Sequence, residues 1–299
     1  MRLNVEIKRS PAAESSPPLP IESPLEAEVS RICNGFPVLC IHGHPGSGAA
    51  MSVFTDSLTA AGFNTYAPDL RGYGKSKTQY PFEMMRHLDD LDELIAAHEI
   101  EQCLVLGWSL GGILTMELAL RRPEVVKGMI LIGTAARPRG SHPPISLWDN
   151  VITGIAGALN FALPSADPIG RWVRSLGKQS LFRYLIQQHT PVAYSYLAKQ
   201  GAPALVQMSR HADAALTRAI RAGYNRLPDV RTLKIPALML CGECDRHITA
   251  ESSLETARAL PNCQTRCYPN TAHLFPWEIP EVVNADIRSW LIEHRDLWT

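Results

Sequence analysis

The chain has 299 residues, 45% of them hydrophobic and 19% charged, with a formal net charge of +0. That length allows one large domain or a domain with a substantial insertion, and the composition fits a folded chain with a sizeable core. The charge balance excludes a molecule built as a whole for nucleic acid or an anionic membrane surface.

The first nine residues, Met1-Arg2-Leu3-Asn4-Val5-Glu6-Ile7-Lys8-Arg9, carry charges throughout. Neither a signal peptide nor a membrane span is expected, and the expected location is the cytoplasm. Residues 10–25 are too rich in proline for a regular helix or central strand, so 1–26 reads as a Pro/Ser-rich arm. A short edge strand is expected over 28–33. Residues 36–41 read as a buried strand running into His42-Gly43-His44-Pro45-Gly46. A helix is expected near 51–61 and a strand over 63–67, which ends in Pro68-Asp69-Leu70-Arg71-Gly72-Tyr73-Gly74. The spacing of Phe82, Met85, Leu88, Leu91 and Leu94 predicts an amphipathic helix over 82–98. The apolar run from Cys103 to Leu106 reads as a strand buried on both faces of a parallel sheet.

From Leu110 the period changes, and Leu114, Leu118 and Ala119 share a helix face. Between strand and helix lies Gly107-Trp108-Ser109-Leu110-Gly111, a G-x-S-x-G match in the context that the motif requires. A serine on so sharp a turn is strained and its hydroxyl is pushed into a cleft, while side chains at the two glycines would collide with the crossing strand and helix. The helix N-terminus sets backbone N–H groups where an oxyanion would form. Another buried strand is expected over 128–132.

Strand–helix alternation implies a right-handed, mostly parallel sheet covered on both faces. It stops after Gly133. Residues 135–229 carry helical patterns over 147–163, 181–189 and 212–227 without a convincing strand, so they are expected to form a lid over the strands' carboxyl ends. The core then comprises 27–134 and 230–299, resuming with strand 235–242, helix 254–260, strand 264–268 and helix 282–294.

The seven cysteines are an odd number in a chain too long to need disulfides. Cys40, Cys103 and Cys241 sit in apolar runs, and reduced thiols are the expected state. Cys241-Gly242-Glu243-Cys244 has the spacing of a zinc or redox motif, but Cys241 reads as strand-buried. Neither a metal nor a cofactor is expected.

The ordered set His42-Gly43-x-Pro45-Gly46, Asp69-x-Arg71-Gly72-x-Gly74, Gly107-x-Ser109-x-Gly111, Gly242-x-x-Asp245 and Ala272-His273 resembles the α/β-hydrolase superfamily. Within it the elbow is similar to that of pimeloyl-carrier-protein methyl ester esterases. The His-Gly-x-Pro run is similar to non-haem haloperoxidases, epoxide hydrolases and proline iminopeptidases. This resemblance implies Ser109 as nucleophile, a histidine after the last strand as base, and a carboxylate to hold that base in its working tautomer. His273 fills the second role; His294, in the closing helix, and His247 are its rivals. Asp245 fills the third, with Glu243 beside it as rival, because the segment after 128–132 has no acid. The oxyanion donors are expected at Leu110 N and His44 N, since Pro45 has no N–H. His42 is expected to pack its loop, and Asp69 and Arg71 to form a structural turn and ion pair.

The lid holds eleven basic residues (Arg137, Arg139, Arg171, Arg174, Lys178, Arg183, Lys199, Arg210, Arg218, Arg221, Arg226) against four acids (Asp149, Asp167, Asp213, Asp229). Trp108, Arg171 and Arg174 are candidate substrate contacts. The expected activity is cleavage of a small carboxylic ester, anionic or carrier-bound, through an acyl-enzyme. Carbon–carbon hydrolysis of meta-cleavage products or perhydrolysis by the same machinery is the second reading. A ligand-binding receptor that kept the fold is the reading of another class, and catalytic turnover against stoichiometric binding discriminates it. Epoxide hydrolysis is disfavoured, because it needs an aspartate where Ser109 stands.

Overall fold

The computed structural model describes residues 1–10, 35–143, 146–162 and 169–299. Residues 11–26 of the expected arm and the expected strand over 28–33 lie outside these residues. Among the described residues seven strands form one sheet: β1 Val5–Lys8, β2 Pro37–Ile41, β3 Asn64–Pro68, β4 Cys103–Trp108, β5 Val126–Ile132, β6 Ala237–Gly242 and β7 Cys263–Tyr268. Their order across the sheet is β1-β3-β2-β4-β5-β6-β7. Of these seven strands β1, paired with β3, runs antiparallel and the other pairings are parallel. β1 was not among the expected strands, although Val5-Glu6-Ile7-Lys8 alternates with period two.

Alternate residues of the central strands feed two cores. Leu39, Ile41, Val105, Met129, Leu131 and Met239 belong to one. Val38, Cys40, Leu104, Leu106, Ile130 and Leu240 belong to the other. This double burial explains the continuous apolar runs of β4 and β6.

The helices flanking the first half of the sheet are α1 Ser52–Ala60, α2 Arg86–Ala97 and α3 Leu110–Arg121. Between β5 and β6 the described residues form α4 Leu147–Ala162, α5 Ile169–Gly177, α6 Phe182–Leu185, α7 Pro191–Tyr196, a π-helical turn Leu197–Gly201, α8 Ala202–Gln207, α9 Arg210–Arg221 and α10 Leu227–Val230. After β6 come α11 Ala250–Ala259, α12 Phe275–Glu278 and α13 Pro280–Glu293.

Two expected helices are corrected here. The run expected over 181–189 is helical only as the single turn α6; a new helix begins at Pro191, where the Thr190 side chain accepts from Ala193 N. The helix expected over 212–227 is α9, which starts earlier because Ser209 caps it and stops before Gly223 at φ +82°.

The helical segment between β5 and β6 is tied to the rest by charge as well as packing. Arg137 pairs with Glu255, Arg139 with Glu255 at 3.1 Å, Arg218 with Glu83, and Arg226 with Glu117 at 2.7 Å. The basic excess of 135–229 is therefore matched in good part by acids outside the segment, which reduces the bare positive surface expected from composition. Glu117 is buried in α3, and its other partner is the Tyr224 hydroxyl at 2.8 Å. Removing its cation leaves a buried carboxylate short of donors. Arg226→Ala should therefore lower unfolding stability by about 2 kcal/mol, below the roughly 3–5 kcal/mol of a fully buried pair because Arg226 is partly exposed. Urea unfolding checks this; an unchanged midpoint would contradict it.

Candidate active site

The chain goes from β2 outward to β3 and then returns to the other side of β2 with β4. This reversal opens a crevice at the carboxyl ends of β2 and β4, where ligands enter open α/β sheets. Ser109 stands there as N-cap of α3 with φ 56° and ψ −114°. A non-glycine residue in that region is strained by roughly 1–3 kcal/mol and persists only where its surroundings hold it. They do: Ser109 N donates to Ile132 O at 2.8 Å, and Thr134 Oγ1 donates to Ser109 O at 2.8 Å. A Cβ on Gly107 would lie 2.3 Å from Gly111 O, and one on Gly111 would lie 1.9 Å from Ile41 O. Only glycine fits either position.

Asp245 follows β6 in a turn that directs its carboxylate. Oδ1 accepts from the backbone N–H groups of His247, at 2.8 Å, and Ile248, at 3.0 Å. Oδ2 is left to accept from His273 Nδ1 at 2.7 Å. Both side chains are buried. With Nδ1–H committed to the acid, Nε2 of a neutral His273 is unprotonated. His273 lies on the loop after β7, its ring against Gly133 at the end of β5, the strand whose Ile132 carbonyl holds Ser109 N. The strand ends thus bring Ser109, Asp245 and His273 to one edge of the sheet.

The rivals fall elsewhere. Glu243 is exposed and accepts a long bond from Asn270 N, at 3.3 Å. His294 Nδ1 faces the Trp290 carbonyl at 2.9 Å in the closing helix. His247 packs its ring edge-on against His273, centroids 4.7 Å apart, and parallel to His142 at 5.8 Å. Burial first, then the neighbouring His273 and His142 rings, lower its pKa to about 3.

Leu110 is the first residue of α3, and His44 follows Gly43 in the loop after β2. Among the described residues neither of their N–H groups has a hydrogen-bond acceptor. His42 does pack its loop: Leu70 N donates to Nε2 at 3.0 Å, and Nδ1 donates to Gly43 O at 2.7 Å. Asp69 forms the expected turn, accepting from Gly48 N and Lys75 N, each at 2.8 Å. Arg71, however, pairs with the buried Asp90 of α2.

Trp108 is buried, edge-on to Phe54 at 5.9 Å and to Trp277 at 5.1 Å. Arg174 lies half-buried in α5, its carbonyl accepting from the Tyr194 hydroxyl at 3.4 Å. Arg171 is also in α5, but its side chain lies outside the described residues. Cys241 is buried in register with the exposed Cys267 of β7, and Cys244 is half-buried. Among the described residues no three of His, Cys, Asp and Glu gather as a metal site, and no helix is long and apolar enough to cross a membrane.

A buried acid beside His273 was not singled out from the sequence. Glu278 of α12 accepts from Ala272 N at 2.9 Å, beside His273, and from Gln187 N at 3.2 Å and Gln188 N at 2.5 Å. It joins the histidine loop to the helical segment. Burial raises its pKa, opposed by those backbone bonds.

Acid should weaken this architecture. Burial lowers the pKa of His42 to about 4 and that of His87 to about 3. The unfolded chain takes up these protons near the ordinary 6.5, well before the folded one does. The unfolded state then binds more protons throughout that window, so stability falls as pH is lowered from 6.5 toward 4, by on the order of 3 kcal/mol for His42. Urea midpoints across that range check this; a pH-independent midpoint would contradict it.

An open parallel sheet with a serine elbow and a buried acid–histidine pair at its carboxyl edge defines an α/β-hydrolase. Residues 37–279 match the family described as serine aminopeptidase, S33, and the chain belongs to that family of hydrolases. It is 24% identical over 258 residues to the uncharacterized hydrolase YugF of Bacillus subtilis, covering 85% of this chain and 89% of that one. It is 22% identical over 254 residues to a pimeloyl-[acyl-carrier protein] methyl ester esterase of Vibrio atlanticus, covering 79% and 86%. A thermophilic esterase from Thermogutta terrifontis has a similar fold, with a TM-score of 0.67 at 22% identity, over 99% of this chain and 94% of that one.

Proposed function

We propose that this hydrolase cleaves a carboxylic ester in two steps through an acyl-enzyme on Ser109. His273 Nε2 takes the Ser109 proton as the hydroxyl oxygen attacks the ester carbonyl. Asp245 holds the ring in that tautomer and stabilises the imidazolium. The carbonyl oxygen, becoming an oxyanion, is received by the N–H groups of Leu110 and His44, fixed dipoles that need no reorganisation as charge develops. The protonated His273 then gives its proton to the leaving alcohol. Water, activated by the same ring, attacks the acyl-enzyme and releases the acid.

The observation that carries the reading is the Asp245–His273 hydrogen bond at 2.7 Å on the strand edge that bears Ser109 in its strained elbow. Residues 135–229 act as a lid, and the substrate is a small ester. A carrier-bound acyl ester is within this class, as the name of the Vibrio relative illustrates.

The test is kcat/KM over matched p-nitrophenyl esters, anilides and a vinylogous diketone. Ester hydrolysis should dominate, with a burst of p-nitrophenol wherever deacylation is slower than acylation. Faster cleavage of the diketone would move the reading to a carbon–carbon hydrolase; stoichiometric binding without turnover would move it to a receptor.

A further inference from the structure

One ring of the loop after β2 lies against the helical segment. His44 Nδ1 lies 2.7 Å from the Tyr73 hydroxyl, and its Nε2 lies 3.3 Å from Asp213 Oδ1. A carboxylate only accepts, so the Nε2 that faces it carries the proton; Nδ1 of the neutral ring then accepts from Tyr73 O–H. Burial favours these states, lowering the pKa of His44 and raising that of Tyr73.

The two tethers belong to different parts of the molecule. Tyr73 is fully buried in the loop after β3, edge-on to His42 at 5.1 Å. Asp213 stands in the first turn of α9. That helix is seated on the same loop, because Ser209 N donates to Gly72 O at 2.8 Å. The fit is close: a Cβ on Gly72 would lie 2.6 Å from Ser209 Oγ and 3.0 Å from Ala212 Cβ. Lys77 Nζ, donating to Gln207 O at 2.9 Å, and the Arg218–Glu83 pair extend the seam.

We infer that Asp213 is a positioning residue for the oxyanion site: through His44 Nε2 it fixes the loop whose backbone N–H is the second donor, so that this donor is aligned when α9 is seated. The inference rests on the proposed roles of Ser109 and the His44 N–H. Displacing α9 releases one of the two tethers of the His44 ring, and reseating it restores the donor. Seating of the helical segment and completion of the oxyanion site are then one event, a form of closure that assembles the catalytic geometry.

The test compares kcat and KM on one p-nitrophenyl ester for Asp213→Ala, Asp213→Asn, His44→Ala and the Asp213→Ala/His44→Ala double variant. Removing a donor outright costs roughly 10²–10³ in kcat, so loosening one should cost roughly tenfold to fiftyfold. Asp213→Ala should show that loss in kcat with KM within about twofold, because the donor acts on charge present only in the transition state. Asp213→Asn keeps an oxygen acceptor and should recover most of the loss. His44→Ala keeps the N–H but loses both tethers, so the double variant should fall no further than it does. Thermal midpoints separate these effects from unfolding. Wild-type kcat in Asp213→Ala, a loss confined to KM, or losses that multiply in the double variant would overturn the positioning role while Ser109→Ala stays inactive. A Ser109→Ala variant that still turns over would instead overturn the reading beneath it.

Discussion

Ser109→Ala should lower kcat on the preferred ester by roughly 10⁴–10⁶-fold, because a nucleophile, its base and the orienting acid act as a unit. The substitution removes one oxygen and leaves the elbow in place. Its backbone is held by Ile132 O and Thr134 Oγ1, neither of which touches the hydroxyl. Alanine at φ 56° is no less strained than serine, so the fold should survive and KM should change little. Circular dichroism and substrate binding read the first point, and steady-state kinetics the second. A folded variant with near-wild-type turnover would remove Ser109 from the chemistry.

Asp245→Asn should cost roughly 10⁴-fold in kcat. The carboxylate accepts three hydrogen bonds, two from backbone at Oδ1 and one from His273 at Oδ2. Asparagine can keep the backbone bonds with its carbonyl, which turns its NH₂ toward His273. That group donates, so the ring must present an unprotonated Nδ1 and carry its proton on Nε2, where it cannot accept one from Ser109. Glu243→Gln should cost less than threefold, since Glu243 is exposed and its carboxylate accepts from the turn at Asn270. A larger loss at Glu243 than at Asp245 would reassign the acid.

Local signals were the legible ones. The elbow could be read because its cause lies within five residues: the glycines of Gly107-x-Ser109-x-Gly111 are demanded by contacts of Cβ atoms they lack. The sheet was legible for a similar reason, since burial on both faces leaves unbroken apolar runs at β2, β4 and β6 and over the last five residues of β5. β1 was missed because four alternating residues carry little signal without their partner β3, about sixty residues away. Pairings set by tertiary structure were also out of reach. Arg71 finds Asp90 in another element. Glu278 caps backbone groups of Gln187 and Gln188, ninety positions upstream. The sequence places His44 in the loop after β2, but the contacts of its side chain depend on where α9 comes to rest. The helical segment was read as helical, whereas its boundaries followed caps at Thr190 and Ser209 that periodicity does not register.

The central claim is that Ser109 is activated by His273. The most direct measurement is labelling by a fluorophosphonate, with the modified residue located by peptide mass spectrometry in the wild type and in His273→Ala. The account predicts one stoichiometric adduct on Ser109 in the wild type, and labelling slowed by orders of magnitude when the base is removed. An adduct on any other residue, or equal labelling rates in the two proteins, would contradict it.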